Sequence, residues 1–273
     1  MGKLDGKVAF ISGAARGQGR SHALRLAQEG ANIIAFDLID QVGTIDYPMS
    51  TQEDLDETVR QIEALDRRIV AKKADVRDFS QVKAAYDAGV AELGPVDIVL
   101  ANAGIAQLGS KEPDPLPTYK DVIDINLNGV FNTVHAVAPD MIERGQGGAI
   151  VLTSSTQGLT GRGADGSVAA TGYAAAKHGV VGLMHSFANS LSPHNIRVNT
   201  VHPTGVRTPM VMNEVIGHYI QENPEAAKMT ANLMPVDLIE PVDISNAILF
   251  LVSDDGGYIT GVTLPVDAGF LVR

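Results

Sequence analysis

A chain of 273 residues with 45% hydrophobic and 19% charged side chains can bury one large core and falls outside the disordered and fibrous classes. A net charge of −11 works against nucleic acid and anionic membranes, which are bound through clustered lysine and arginine, so the expected partner is a small molecule. The lack of cysteine removes disulfides, thiolate nucleophiles and zinc–thiolate centres, and no apolar run approaches the roughly eighteen residues that span a bilayer, so a cytoplasmic location is expected.

In chain order, a β-rich apolar run at 8–12 leads through SGAARGQG into a helical period at 19–29. Further strands are predicted at 32–36, 69–74, 96–101, 149–154, 197–201 and 261–265, with helices at 52–65, 80–93, 119–143, 173–191 and 241–252. Strands alternating with long helices imply right-handed crossovers. The expected fold is therefore α/β: one doubly wound domain over 1–273, a seven-stranded parallel sheet with helices on both faces. Three segments break the rhythm. They are 38–51 after the second strand, the Gly-rich stretch 158–171, and a helical excursion at 206–236 expected to act as a substrate loop or lid. All three leave strand C-termini, where ligand sites of α/β folds lie.

The turn after the first strand holds Gly13, Gly17 and Gly19. Glycine suits it because the chain must turn sharply and bring backbone N–H groups against a pyrophosphate at a helix N-terminus. Asp37 ends the second strand eighteen positions beyond Gly19, where a carboxylate accepts hydrogen bonds from a ribose and repels a 2′-phosphate; the cofactor is therefore expected to be NAD, not NADP. Arg16 is the counter-signal, either reaching for a 2′-phosphate or lying as a surface cation; the carboxylate outweighs it, because a flexible arginine can swing into water. Asp75 and Val76 follow the third strand, placed either to clamp an adenine or, for Asp75, to cap the next helix. Asn102, Ala103 and Gly104 follow the fourth strand, as a close approach to the cofactor or as an ordinary turn.

At 172–183 the chain reads GYAAAKHGVVGL. Tyr173 and Lys177 are one helical turn apart, so both heads reach one reacting atom, unless the stretch is only an amphipathic helix with a tyrosine at its edge. Taken together, SGAARGQG, NAG at 102–104, DINLNGVF, IVLTSS, YAAAK and HPTGVRTPM resemble the short-chain dehydrogenases/reductases over nearly the whole chain. The resemblance implies a Rossmann-type fold, a catalytic set of Asn126, Ser155, Tyr173 and Lys177, and cofactor contacts that extend to Gln18, Tyr173, Lys177, Pro203, Val206 and Thr208. A free tyrosine titrates near 10, so the Lys177 ammonium and a positive nicotinamide ring would be needed to favour the phenolate. Ser155, rather than Ser154, would stabilise charge on the substrate oxygen. Lys177 would also bond the nicotinamide ribose, and Asn126 would hold a water that relays protons through Lys177. The spacing of eighteen residues from Ser155 to Tyr173 is wide for the family and places an insertion in the Gly-rich loop.

Two departures narrow the resemblance. Pro203-Thr204-Gly205 stands where most members have Pro-Gly, and an insertion containing DYPMSTQEDL follows Asp37. Both resemble the carveol-dehydrogenase-like, mycofactocin-associated branch, which implies a nicotinamide cofactor held without free exchange and an external redox acceptor such as mycofactocin. The leading expectation is an NAD-dependent dehydrogenase of a hydrophobic secondary alcohol or ketone. An NADPH-dependent 3-oxoacyl reductase shares the catalytic set but is opposed by Asp37 and the acidic surface. A non-catalytic dinucleotide sensor explains the glycines and Asp37 but not Asn126, Ser155, Tyr173 and Lys177 together. The helices at 119–143 and 173–191 and the apolar VTLPVDAGFLV resemble surfaces of a homotetramer. The seven histidines are scattered, so no metal site is expected.

Overall fold

The computed structural model describes residues 2–107, 115–162 and 165–273. Its seven strands are β1 (Val8–Ser12), β2 (Asn32–Asp37), β3 (Ile69–Lys73), β4 (Ile98–Ala101), β5 (Gly148–Thr153), β6 (Ile196–Pro203) and β7 (Thr263–Val266). They form one parallel sheet in the order β3-β2-β1-β4-β5-β6-β7. Every residue of β1 is buried, as suits a strand covered on both faces, where a near-continuous apolar run replaces alternation.

Alternate side chains enter two cores. On one face Phe10, Ile34 and Phe36 pack with Val82 and Tyr86 of α3 (Phe79–Leu93), Val134 of α5 (Gly129–His135) and Met184 of α7 (Val168–Leu191). The rings of Phe10 and Phe36 stack at 4.9 Å, and Tyr86 meets Phe10 edge-on at 5.7 Å. On the other face Ala9, Ile11 and Ile33 pack with Leu26 of α1 (Gly17–Gln28), Ile62 of α2 (Gln52–Glu63) and Ile248 of α10 (Pro241–Val252). Strand order reverses at β1, whose neighbours are β2 and β4, and the crevice beyond the C-terminal ends of β1 and β4 is where such folds bind ligands.

The ends of all seven predicted strands fall within two residues of the observed ones; the one at 32–36 gains Asp37 and the one at 197–201 extends to Pro203. The predicted helix at 119–143 is instead four pieces: α4 (Leu116–Ile123), a π-helical turn over Asp124–Asn128, α5, and α6 (Ala138–Arg144). Pro139 explains the last break, because proline fits only the first turn of a helix, where its missing N–H is not needed. The helix predicted from 173 starts at Val168, because Ser167 Oγ accepts the Ala170 N–H at 3.1 Å and so caps it. The Gly-rich loop therefore ends at 167, and its positions 163 and 164 lie outside the described residues. Within 206–236 lie two short helices, α8 (Glu214–Glu222) and α9 (Pro224–Met229). No described helix is long and apolar enough to cross a membrane.

Candidate active site

The floor of the crevice is set by backbone. Gly13 has φ +67, and a Cβ there would sit 2.8 Å from the Ala103 Cα; a Cβ on Gly19 would fall 2.0 Å from the Gly13 carbonyl oxygen. Ser12 Oγ accepts both the Asn102 N–H (3.0 Å) and the Ala103 N–H (3.1 Å), tying the ends of β1 and β4 together. The first turn of α1 carries no acidic residue, and its N-cap residue, Arg16, makes no side-chain cap. In contrast, Thr51, Asp78, Ser167 and Asn213 cap α2, α3, α7 and α8. The free N–H groups of the first turn therefore face an open cleft of about 880 Å³, lined there by Gly17, Gln18 and Gly19. A phosphate is the complement of such an end.

Asp37, Asp75, Val76, Asn102, Ala103 and Gly104 line the same cleft. One carboxylate oxygen of Asp37 accepts the Ala15 N–H at 2.9 Å, and the other accepts Ser50 Oγ–H at 2.7 Å. The carboxylate is thus fixed at the cleft wall. Arg16 also lines the wall, but its Nη2 donates to the Pro48 carbonyl at 2.6 Å, so the cation braces the loop after β2. Asp75 is not a helix cap. Asp78 caps α3, while Asp75 pairs with Arg77 at 2.7 Å.

The 38–51 segment is an ordered strap. Val42, Ile45, Tyr47 and Ser50 are buried. Gln41 knots the strap from inside, its Nε2 donating to the carbonyls of Val42, Ile45 and Tyr47 and its Oε1 accepting the Met49 N–H. The strap reaches across the cleft through Thr44 Oγ1, which donates to Asp121 (2.8 Å), and through the Asp46 N–H, which donates to Gln107 (3.3 Å). Tyr47, Met49 and Ser50 line the cleft. The sequence singles out the segment, with its DYPMSTQEDL stretch, but assigns none of these residues a place in the site. The available signal was a tyrosine, a proline and a methionine in a stretch otherwise suited to solvent.

An adjoining hollow of about 510 Å³ contains Ser155, Tyr173, Lys177, Pro203, Val206 and Thr208. Gln18, Asn102, Gly104, Thr208 and Met210 line both spaces, so the two are continuous. Ser154 and Ser155 divide their roles. Ser154 Oγ donates to the Lys177 carbonyl at 2.9 Å, locking β5 to α7. Ser155 bonds the Tyr173 side chain and accepts the Gln157 N–H at 3.1 Å. Burial holds the Tyr173 phenol above its ordinary value, with the Ser155 hydrogen bond pulling it back. Burial also pulls Lys177 down to about 8, and its Nζ donates to the Thr153 carbonyl at 2.8 Å. Asn126 does not line the open hollow. It is fully buried in the π turn, where its amide bonds both the N–H and the carbonyl of Ile105 at 2.8 Å. A Cβ on Gly104 would lie 3.0 Å from Asn126 Oδ1 and 3.6 Å from Lys177 Nζ, so glycine there keeps the Asn126 and Lys177 heads on one small space. Single π turns of this kind recur at functional sites.

His202, also missed from sequence, supports the serine turn: its Nδ1 meets the Ser155 carbonyl and its Nε2 meets Thr200 Oγ1, both at 2.8 Å. Among the described residues no group of three His, Asp or Glu is placed to hold a metal.

A family model described as short chain dehydrogenase matches residues 7–217. The chain belongs to the short-chain dehydrogenase family. It is 48% identical to the (−)-trans-carveol dehydrogenase of Rhodococcus erythropolis over 282 aligned positions, covering all of both chains. It is similar in structure to the carveol dehydrogenase of Mycobacterium avium in complex with NAD, with 49% identity, full coverage of both chains and a TM-score of 0.90. A short chain dehydrogenase of Mycobacterium paratuberculosis bound to NAD gives 43% identity and a TM-score of 0.92, again over all of both chains. The resemblance to the carveol-dehydrogenase-like branch thus spans the whole length of the chain.

Two buried histidines give this dehydrogenase an acid limit. Burial lowers His202 to about 4 and His22, on α1, to about 3. The unfolded chain takes up their protons first as pH falls, so stability present above about 6.5 is lost on acidification through that value. Between pH 6.5 and pH 5 the loss should be about 2 kcal/mol per histidine. Chemical denaturation across this range should show the slope, and His202→Asn should make it shallower; an unchanged slope would mean that His202 titrates alike in the folded and unfolded chain.

Proposed function

We propose that this short-chain dehydrogenase moves a hydride between NAD and a hydrophobic secondary alcohol or its ketone, with carveol-like cyclic alcohols as the favoured class. The observation that carries the reading is the continuity of the two spaces. An uncapped, glycine-lined helix N-terminus and a fixed carboxylate occupy one end, and a serine, a tyrosine and a lysine occupy the other. The residues fit the cofactor: the first-turn N–H groups of α1 suit the pyrophosphate, Asp37 suits a ribose diol, and Val76 beside Asp75 suits a flat base. The apolar side chains of Met210 and Val211 at the reacting end and the relatives named carveol dehydrogenase support the substrate class.

Bound NAD supplies the acceptor for the hydride leaving the carbinol carbon. The chain's part is to bind the alcohol oxygen between Ser155 and Tyr173 and to manage one proton. Tyr173 takes that proton at its phenol oxygen during oxidation and returns it during reduction. Ser155 Oγ–H donates to the same substrate oxygen and stabilises the negative charge that develops there. Burial alone makes Tyr173 a poor base, so the Lys177 ammonium has to favour the phenolate, and its lowered pKa lets it pass a proton onward near neutral pH. Asn126, sharing the space beside Gly104 with Lys177, holds the water through which that proton leaves. A homotetramer is part of the reading, supported by exposed Leu116, Tyr119 and Phe131 on α4 and α5, as is a cytoplasmic location.

Tyr173→Phe keeps the ring and removes the hydroxyl, so turnover of carveol should fall by about 10² or more while NAD still binds; activity within a few-fold of the parent would remove Tyr173 from the proton path. Asp37→Ala should relax the preference for NAD over NADP, measured as kcat/KM for each; equal values in the parent protein would refute the assignment of Asp37.

The strap extends the reading. Fastened at both sides of the cleft, it slows escape of NAD, so that bound NAD is reduced in place and its electrons pass to an external acceptor of the mycofactocin kind. Protein purified without added cofactor and then denatured should release about one NAD per chain, and turnover should be faster with an artificial acceptor than with free NAD. A protein that releases none and turns over briskly with free NAD would be an ordinary exchanging dehydrogenase.

A further inference from the structure

Two described segments beside the reacting hollow, the loop after Ser155 and the end of the 206–236 excursion, are joined through the C-terminal turn, and one guanidinium fastens the first of them to it. Arg162 lies in the loop after the Ser155 turn. Its Nη1 donates to the Arg273 carbonyl at 2.8 Å, its Nη2 donates to the Phe270 carbonyl, and its guanidinium carbon lies 4.1 Å from the centre of the Phe270 ring. Phe270 is itself buried at 2% exposure. The residues leading into that segment are shaped to receive the arginine. Asp267 accepts the Gly269 N–H (3.0 Å) and the Leu271 N–H (2.9 Å), closing a tight turn in which Ala268 has φ +48, a conformation that costs a non-glycine residue energy.

The same turn holds the excursion. The Ala268 carbonyl accepts the N–H groups of Leu233 (3.1 Å) and Met234 (2.9 Å), and Arg273 Nη1 donates to the Ala231 carbonyl at 3.0 Å. A Cβ on Gly269 would sit 2.8 Å from the Leu233 Cβ, so the two backbones are in close contact. From there the path enters the hollow: Thr204, in its wall, donates through Oγ1 to Asn232 Oδ1 at 2.7 Å. On the other side, the Arg162 carbonyl accepts from Gln157 Nε2, and the Gln157 N–H donates to Ser155 Oγ at 3.1 Å.

We propose that Arg162 is a positioning residue for substrate capture, acting with the turn at Asp267–Phe270 as a latch that joins the Ser155 loop to the 231–236 end of the excursion. The inference rests on the dehydrogenase reading of the hollow. Arginine is needed rather than lysine, because one planar cation satisfies two carbonyls and stacks on a ring at once. Neither Arg162 nor Asp267 touches the reacting atoms. Loosening the latch therefore lets two walls of the hollow drift apart while leaving the proton path of Tyr173 and Lys177 in place, which weakens substrate binding more than it slows chemistry.

The test uses the full chain with carveol, and with cyclohexanol as a small alcohol that needs little of the wall. Arg162→Ala should raise KM for carveol about tenfold, with kcat within about threefold, NAD affinity by calorimetry unchanged, and a smaller rise for cyclohexanol. Arg162→Lys should fall between the parent and Arg162→Ala. Limited proteolysis should cleave Arg162→Ala within 206–236 at least tenfold faster than the parent. Asp267→Asn, which weakens the turn without touching Arg162, should shift KM and cleavage in the same direction and decides the matter if Arg162→Ala does not fold. A fall in thermal stability with parental KM and parental cleavage of 206–236 would overturn the proposal and leave Arg162 a structural brace. If neither alcohol turns over in the parent, the dehydrogenase reading fails, and the cleavage rates still decide the latch.

Discussion

A single hydroxyl fixes the ground on which both halves of the site are built. Ser12 Oγ accepts the N–H groups of Asn102 and Ala103 at the point where strand order reverses, so the ends of β1 and β4 are held at one height. Parallel strands cannot close on each other with a tight turn, and their connections must leave by the ends. The sheet therefore has a crevice here whatever its function. The Ser12 contact makes it narrow enough that Gly13 and Ala103 touch, and a side chain at position 13 would meet backbone rather than a yielding group. Everything placed over that crevice inherits its position from this pair of strand ends.

The reacting end gives up stability for position. Lys177 is 3% exposed and Asn126 wholly buried, and both are polar groups taken out of water in the body of a helical layer. Asn126 recovers its hydrogen bonds only because the π turn carries its amide onto both backbone groups of Ile105. Lys177 has one carbonyl, that of Thr153, and its pKa falls because one neutral acceptor does not replace a full hydration shell. Ser154 and Gly158 close the same joint: Ser154 Oγ bonds the Lys177 carbonyl, and a Cβ on Gly158 would strike both that hydroxyl and that carbonyl. Serine, glycine and lysine thus define one tight β5–α7 contact, whose purpose is to aim Tyr173 and Ser155 at a shared point.

What was legible in the sequence was what backbone geometry dictates locally. A glycine turn at a strand end, an acid at the next strand end, and a tyrosine one turn before a lysine each act within a few residues of themselves, so their spacing carries their meaning. The seven strands were legible for the same reason, because burial on both faces leaves an apolar run that does not depend on which neighbour covers it. What failed depended on distant partners. The break at Asp124–Asn128 is invisible in DINLNGVF, because it goes with a pair of hydrogen bonds between the Asn126 amide and the backbone of Ile105, 21 positions away. Ser167 reads as part of a loop because a capping serine and a loop serine look alike until the next helix is packed. Arg16 beside the glycine turn suggests a phosphate ligand, whereas its carbonyl partner, Pro48, lies 32 residues further along.

The two ends of the cleft differ in how they are held, and the difference decides how far function can be read. The nucleotide end is built on backbone, with N–H groups, glycines and one carboxylate, a donor and acceptor set that the strand ends themselves fix. The reacting end is flanked by loops whose positions come from side chains: Arg162 against Phe270, and Thr204 against Asn232. Side-chain fastenings of this kind can be exchanged without disturbing the sheet, since none of them belongs to either core. A family can therefore keep one cofactor and one proton path while its substrates vary. By the same logic, the chemistry of this chain was evident from its motifs, whereas the shape of its alcohol is set by contacts that exist only once the chain has folded.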